Sequence, residues 1–142
     1  MHKRKAFVTI SIVIVIVAGI CLFLLDKRTY SATDVLENAD FNAENPTVTI
    51  HSINTDKEDI YTKIEIPEET QHELIKAFKN AKFEKTTVSL IDYNYRINIA
   101  LNTGYAMFLD SDEKLLTISN TKENYAIAND SDFFSILEKA TK

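Results

Sequence analysis

Hydrophobic residues fall into three successive patterns along the chain. The first is a continuous run: Ala6 to Leu25 reads AFVTISIVIVIVAGICLFLL, without a charge and with only Thr9 and Ser11 weakly polar. The second has a period of two, which puts alternate side chains on one side of a strand. Thr47 to Ile53 sets Val48 and Ile50 against polar neighbours, and Ile60 to Ile66 sets Ile60, Ile64 and Ile66 against Tyr61, Lys63 and Glu65. The polar stretch Asn54-Thr55-Asp56-Lys57-Glu58-Asp59 between them predicts a turn. The third pattern has the helical period. Leu74, Phe78 and Ala81 share one face with Ile75 beside them, while Gln71, Glu73, Lys76 and Lys79 point elsewhere. Pro67 suits the first helical position, and Glu68 and Glu69 are favourable near the positive end of the helix dipole.

From Val88 onward the period returns to two, and parity tests whether one sheet can hold it. Asn102-Thr103-Gly104 reads as a three-residue hairpin loop, with Gly104 taking a positive φ. Leu101 then faces Tyr105, Ile99 faces Met107 and Ile97 faces Leu109. Even-length loops at Ser111-Asp112-Glu113-Lys114 and Asn120-Thr121-Lys122-Glu123 set Leu109 against Leu116 and Met107 against Ile118. They also set Ile118 against Tyr125 and Leu116 against Ile127. Upstream, Leu90 can meet Tyr95 and Val88 can meet Ile97. Five consecutive strands thereby keep their apolar residues on one side without a register conflict. Asp130-Ser131-Asp132 caps a closing helix with the stripe Phe133, Ile136, Leu137 and Ala140. The expected fold is α+β. An N-terminal transmembrane helix precedes an antiparallel sheet, a five-strand meander plus up to two N-terminal strands, with two helices packed on its apolar face.

A helix of the length of residues 6–25 spans about 30 Å, the hydrocarbon thickness of a bilayer. A single membrane span follows. His2, Lys3, Arg4 and Lys5 precede it, and Lys27 and Arg28 follow, partly offset by Asp26. That balance places the N-terminus in the cytoplasm and the bulk of the chain outside. Two other fates for the same residues stay open. A secretory signal would be cleaved, although its apolar core would be shorter. A lipoprotein signal would carry its lipid on Cys21, although Ile20 stands where the lipobox needs a small residue. In the anchored reading residues 1–5 are a cytoplasmic tip, 6–25 the anchor, 26–45 a polar tether and 46–142 an extracytoplasmic domain. Within the tether, Ser31 to Glu37 predicts a short helix capped by Thr33 or Asp34.

Charge narrows the partners. All 21 acidic residues lie at or beyond Asp26, with 13 lysines and arginines, an excess of eight negative charges. Such a surface disfavours nucleic acid, whose phosphates need cations. The lone Cys21 lies in the apolar run, so the outer domain has no disulfide, thiolate nucleophile or cysteine metal ligand. His51 and His72 would hold a metal only by converging with a carboxylate, and two unlinked histidines read first as surface residues. Asp110-Ser111-Asp112-Glu113 lacks the glycine and closing glutamate of a calcium loop and reads as an acidic turn. Asn129-Asp130-Ser131 fits the N-glycosylation pattern, but a helix cap explains it better. No serine lies in a nucleophile elbow, and no phosphate loop or dinucleotide fingerprint is present. No cofactor is therefore expected.

The polar face of the meander carries the strongest candidate. The register places Arg96 opposite Asp110, Asn98 opposite Phe108 and Ala100 opposite Ala106. Arg96 and Asp110 then form an exposed cross-strand pair of small worth. Phe108 is a large apolar residue on a solvated side. Either the tether or a strand end covers it, or it marks a partner-binding patch with Arg96, Asn98 and Asp110.

The basic residues Lys3-Arg4-Lys5, one apolar segment, a polar stretch and a small domain together resemble small membrane-anchored envelope proteins of Gram-positive bacteria. The resemblance covers the whole chain but rests on layout and an Ile, Lys and Asn-rich composition, without a diagnostic motif. Many such proteins are classed only as domains of unknown function, so it implies a cell-envelope location and no activity. The favoured function is a non-enzymatic binding or interaction module outside the membrane, with a protein or peptide partner. One alternative is an immunity-like protein whose acidic surface neutralises a cationic peptide or toxin. Another is a small envelope hydrolase assembled from scattered residues such as His51, His72 and the acidic turn.

Overall fold

A computed structural model describes residues 14–20, 28–88, 92–128 and 131–142. Residues 14–20 are helical and belong to the apolar run. The rest of that run, with Cys21, lies outside the described residues. Among the described residues no helix is long and apolar enough to cross a membrane.

From Arg28 onward the chain is a mixed α+β domain. Its strands are β1 (Thr29–Tyr30), β2 (Thr47–Ile53), β3 (Tyr61–Ile64), β4 (Phe83–Thr86), β5 (Tyr95–Ala100), β6 (Gly104–Asp110), β7 (Leu115–Ile118) and β8 (Asn124–Ile127). Its helices are α1 (Ala32–Val35), α2 (Glu68–Asn80) and α3 (Phe133–Thr141). All eight strands join one antiparallel sheet in the order β1-β4-β8-β7-β6-β5-β2-β3. The alternation read from the sequence puts Val48, Ile50, Ile97, Ile99, Met107, Leu109, Leu116 and Tyr125 on one side, all buried. Leu74, Ile75 and Phe78 of α2 and Phe133, Phe134 and Leu137 of α3 close that side. Phe78 is the hub. Its ring lies 4.9 Å from Phe83 and 5.5 Å from Phe133, the spacing at which aromatic pairs add to plain burial. Among the described residues, the other side of the sheet carries no helix.

Four features depart from the expected arrangement. The sheet has eight strands rather than five to seven, and the meander contains four of them, β5 to β8. The fifth expected strand, with Val88 and Leu90 beside β5, is replaced by β4, which pairs with β8 instead. Val88 is exposed and Leu90 lies outside the described residues. β4 escaped the alternation test because only one of its residues, Phe83, is buried.

The second departure is register. β6 and β7 pair as expected, Leu109 with Leu116 and Met107 with Ile118. At β5–β6 and β7–β8 the partners slide by two residues: Ile99 meets Tyr105, Ile97 meets Met107 and Leu116 meets Tyr125. A slip of two keeps every side chain on its proper face, so parity alone could not detect it. The β5–β6 loop is Leu101-Asn102-Thr103, and Gly104 begins β6 without a positive φ. Asn102 holds this loop from outside: its Oδ1 accepts from Asp40 N at 2.9 Å and its Nδ2 donates to the Asn38 carbonyl at 2.8 Å.

Third, the segment expected as a tether is part of the domain. It supplies β1 at the sheet edge and buries Ala32, Val35 and Leu36, with Phe41 packed 6.5 Å from the Phe78 ring. Ser31, rather than Thr33 or Asp34, caps α1 through a reciprocal pair of bonds with Asp34. Fourth, α3 buries Phe134 in place of Ala140, and its cap residue Asp132 makes no side-chain bond. Ser131 Oγ accepts from Phe133 N instead, at 3.3 Å. Asn129 and Asp130 lie outside the described residues.

Candidate binding face of the sheet

Residues that alternate with the core project from the helix-free side. Strand pairing lines one set of them up across the sheet. Lys63 of β3 stands beside His51 of β2, then Arg96 of β5, Phe108 of β6, Thr117 of β7, Asn124 of β8 and Thr86 of β4. Neighbouring strands lie about 4.8 Å apart, so each member is within side-chain reach of the next. The row has a basic part, Lys63-His51-Arg96, in which Lys63 also meets Glu65 at 2.6 Å, and it leads into an aromatic part. It stands in a domain of negative net charge.

Phe108 is half-buried, and among the described residues its aromatic cover comes from just before β5 rather than from the former tether. Tyr93, in the connection from β4 to β5, lays its ring 5.0 Å from Phe108. The Tyr93 hydroxyl donates to Thr117 Oγ1 at 3.4 Å, and Thr117 Oγ1 donates in turn to Asn124 Oδ1. Thr117 is only 7% exposed although it points away from the core, which shows how closely these rings seal the centre of the face.

Arg96 does not pair with Asp110 as expected. The two-residue slide puts it beside Phe108, and its guanidinium carbon sits 5.8 Å from the Tyr61 ring centre, within cation–π range. Among the described residues it forms no ion pair. Asp110 sits opposite Leu115, and its Oδ1 accepts from the backbone N–H groups of Asp112 and Glu113, both at 3.1 Å. The acidic turn is thus a self-capped hairpin loop. Asn98 faces Ala106 rather than Phe108, and its side chain lies over Gly104. The structure therefore brings Phe108 and Arg96 together and removes Asp110 to the next row. Tyr93, Tyr61 and Lys63 were not among the sequence candidates. Tyr93 sits in a connection with no periodicity, and Tyr61 and Lys63 join Arg96 only through the non-sequential β2–β5 pairing.

The two histidines do not converge. His51 belongs to the row, whereas His72 is on the exposed side of α2, 3.5 Å from Glu68, across the sheet. Among the described residues no group of three or more His, Cys, Asp and Glu could hold a metal ion.

One polar cluster lies elsewhere, where β4 and β8 meet β1. The Lys85 ammonium donates to the Glu123 carboxylate, and the Tyr125 hydroxyl donates to its other oxygen at 2.6 Å. Lys85 first and Tyr125 second hold the Glu123 carboxyl below the usual range. Burial, and then Glu123, push the Tyr125 phenol well above its ordinary value. Tyr30 packs edge-on against Tyr125 at 5.8 Å, so the cluster fastens β1 to the sheet. Comparison of the chain with family models, with curated proteins and with solved structures gives no match.

Proposed function

We propose that the chain is a membrane-anchored, extracytoplasmic binding module that presents its helix-free sheet face to a protein or peptide partner. The observation behind this reading is the in-register row Lys63-His51-Arg96-Phe108. An arginine without a carboxylate partner among the described residues, set between aromatic rings, has the composition of an interface anchor. The cations suit a carboxylate-bearing segment of the partner, and the rings of Phe108, Tyr93 and Tyr61 suit its apolar side chains. The apolar run 6–25 and its basic flank support the anchor, with the domain outside. His51 and His72 stand on opposite sides of the sheet, which favours the binding reading over a hydrolase built on that pair.

Affinity capture from native membranes with the full chain and with Arg96→Glu tests the reading. Arg96 is exposed, so the variant should melt within a few degrees of the parent, as surface substitutions usually do. A partner of this face should be lost by tenfold or more in affinity. Partners retained equally by Arg96→Glu and by Phe108→Ala would place binding elsewhere. Protease added to intact protoplasts should digest the domain; protection until lysis would reverse the orientation.

A further inference from the structure

The sheet has one long free edge among the described residues, β3, which pairs only with β2. Its backbone phase follows from two bonds. Ile53 N donates to Asn94 O on the β5 side, while Asn54 N donates to Ile60 O on the β3 side. In an antiparallel ladder these directions alternate, so the inward pairs are Ser52 with Thr62 and Ile50 with Ile64. Tyr61 and Lys63 therefore turn their N–H and C=O groups outward. Ile66 turns its carbonyl inward, to Gln71 Nε2, which carries the alternation on and leaves Glu65 outward as well.

We propose that β3 is the interface of a symmetric dimer, in which two copies of this chain join edge to edge with Lys63 of one opposite Glu65 of the other. The side chains are self-complementary in this register. Both Lys63–Glu65 pairs form at once, because an antiparallel two-fold match is reciprocal. Lys63 in β3 and Glu65 just beyond its end already meet on the open face at 2.6 Å, with side chains 55% and 82% exposed, so the dimer would hold a network of four alternating charges. On the other face Ile64 meets its own copy, and Ile66 meets Thr62; both isoleucines are only half-buried in the single chain. A lysine on an edge strand ordinarily blocks pairing with strangers. A lysine followed two residues later by a glutamate instead selects a strand with the same spacing. This interface shares Lys63 with the proposed binding face, but the edge pairing does not require that face to bind a partner.

The register fixes the test. Ile64 lies on the two-fold axis as a non-hydrogen-bonded pair, where Cα atoms approach to about 4.5 Å, close enough for a disulfide. The full chain with Cys21→Ser and Ile64→Cys, under mild oxidation, should form a disulfide-linked dimer, whereas Thr62→Cys in the same background should not. Adding Lys63→Glu, or Glu65→Lys, to the Ile64→Cys chain should lower the linked fraction about tenfold through like-charge contact. Mixing the two charge variants should restore it as a mixed dimer, since each then supplies what the other lacks. Sedimentation of the unaltered full chain should show a concentration-dependent dimer. A monomer at every concentration, linkage through position 62 in preference to 64, or charge variants that link as well alone as mixed would each overturn the proposal.

Discussion

Lys114 and Lys122 close the β6–β7 and β7–β8 loops with φ of 56° and 60°. The left-handed region costs an L-residue roughly 1 kcal/mol or more, and glycine nothing in steric terms. Lys114→Gly should therefore stabilise the domain by about 0.5 kcal/mol once the extra freedom of the unfolded chain is counted. Gly104 is the converse case. Its φ is not positive, and a Cβ added there would meet Asn98 Oδ1 at 3.4 Å. Gly104→Ala should change the unfolding free energy measured in urea by no more than about 0.5 kcal/mol, with Asn98 giving way slightly. A loss several times larger would restore the left-handed assignment. Glycine marks a turn in sequence because it permits positive φ; it does not require it. That difference set the β5–β6 register two residues away, and with it the neighbour of Arg96.

The strand β3 and helix α2 are coupled by one side chain. After Ile50 and Ile64, the next inward pair of the β2–β3 ladder would be Val48 with Ile66. Gln71 from the first turns of α2 occupies that place: Val48 N donates to its Oε1 at 3.0 Å, and its Nε2 donates to Ile66 O at 3.3 Å. A side-chain amide thus stands in for a peptide group and ends β3. Gln71→Leu leaves both backbone groups unpaired at a part-buried site and should cost about 2 kcal/mol. Faster hydrogen exchange at the Val48 amide would locate the loss there, and an unchanged rate would reject the wedge. The helical period of α2 and its buried face were legible because three or four spaced apolar residues suffice for that pattern. Gln71 was placed only off the apolar face, since a polar residue's partner on another element leaves no periodic trace. β4 was missed for a similar reason, as a strand with a single buried side chain has no alternation to read.

The Lys85-Glu123-Tyr125 cluster makes this element junction sensitive to alkali. The Tyr125 phenol is raised in the folded state, first by burial and then by its bond to Glu123. A raised value means that the folded state favours the protonated form. Its contribution is fully present below the ordinary tyrosine value of about 10 and is lost as pH rises beyond it. Melting temperatures of the parent and of Tyr125→Phe should therefore run parallel below about pH 10 and converge above it. A gap that stayed constant up to the highest measurable pH would show that the hydroxyl is not the group responsible.

At the scale of the whole molecule, the question is where the apolar run ends and the folded domain begins. Composition divided the chain at Pro46, because residues 26–45 are polar with scattered apolar positions. The scattered ones decide the matter. Ala32, Val35 and Leu36 are each at most 3% exposed, Tyr30 meets Tyr125, and Phe41 stacks against Phe78. Burying a Val or Leu side chain is worth about 1.5–3 kcal/mol, so this segment contributes on the order of 5 kcal/mol, comparable to the whole stability of a small domain. A fragment of residues 28–142 should unfold cooperatively. A fragment of residues 46–142 should be largely unfolded or melt far lower, with its exposed core binding a hydrophobic dye. Equal melting of the two would return residues 28–45 to the role of a tether. Only Asp26, Lys27 and Arg28 then separate the apolar run from β1, a reach of at most about 10 Å. If residues 6–25 anchor the chain, the domain is held against the membrane surface. A partner would have to meet the sheet face there, within the headgroup layer's own field. Lengthening this three-residue link with flexible residues should leave folding unchanged, and it should alter partner capture only if that proximity is used.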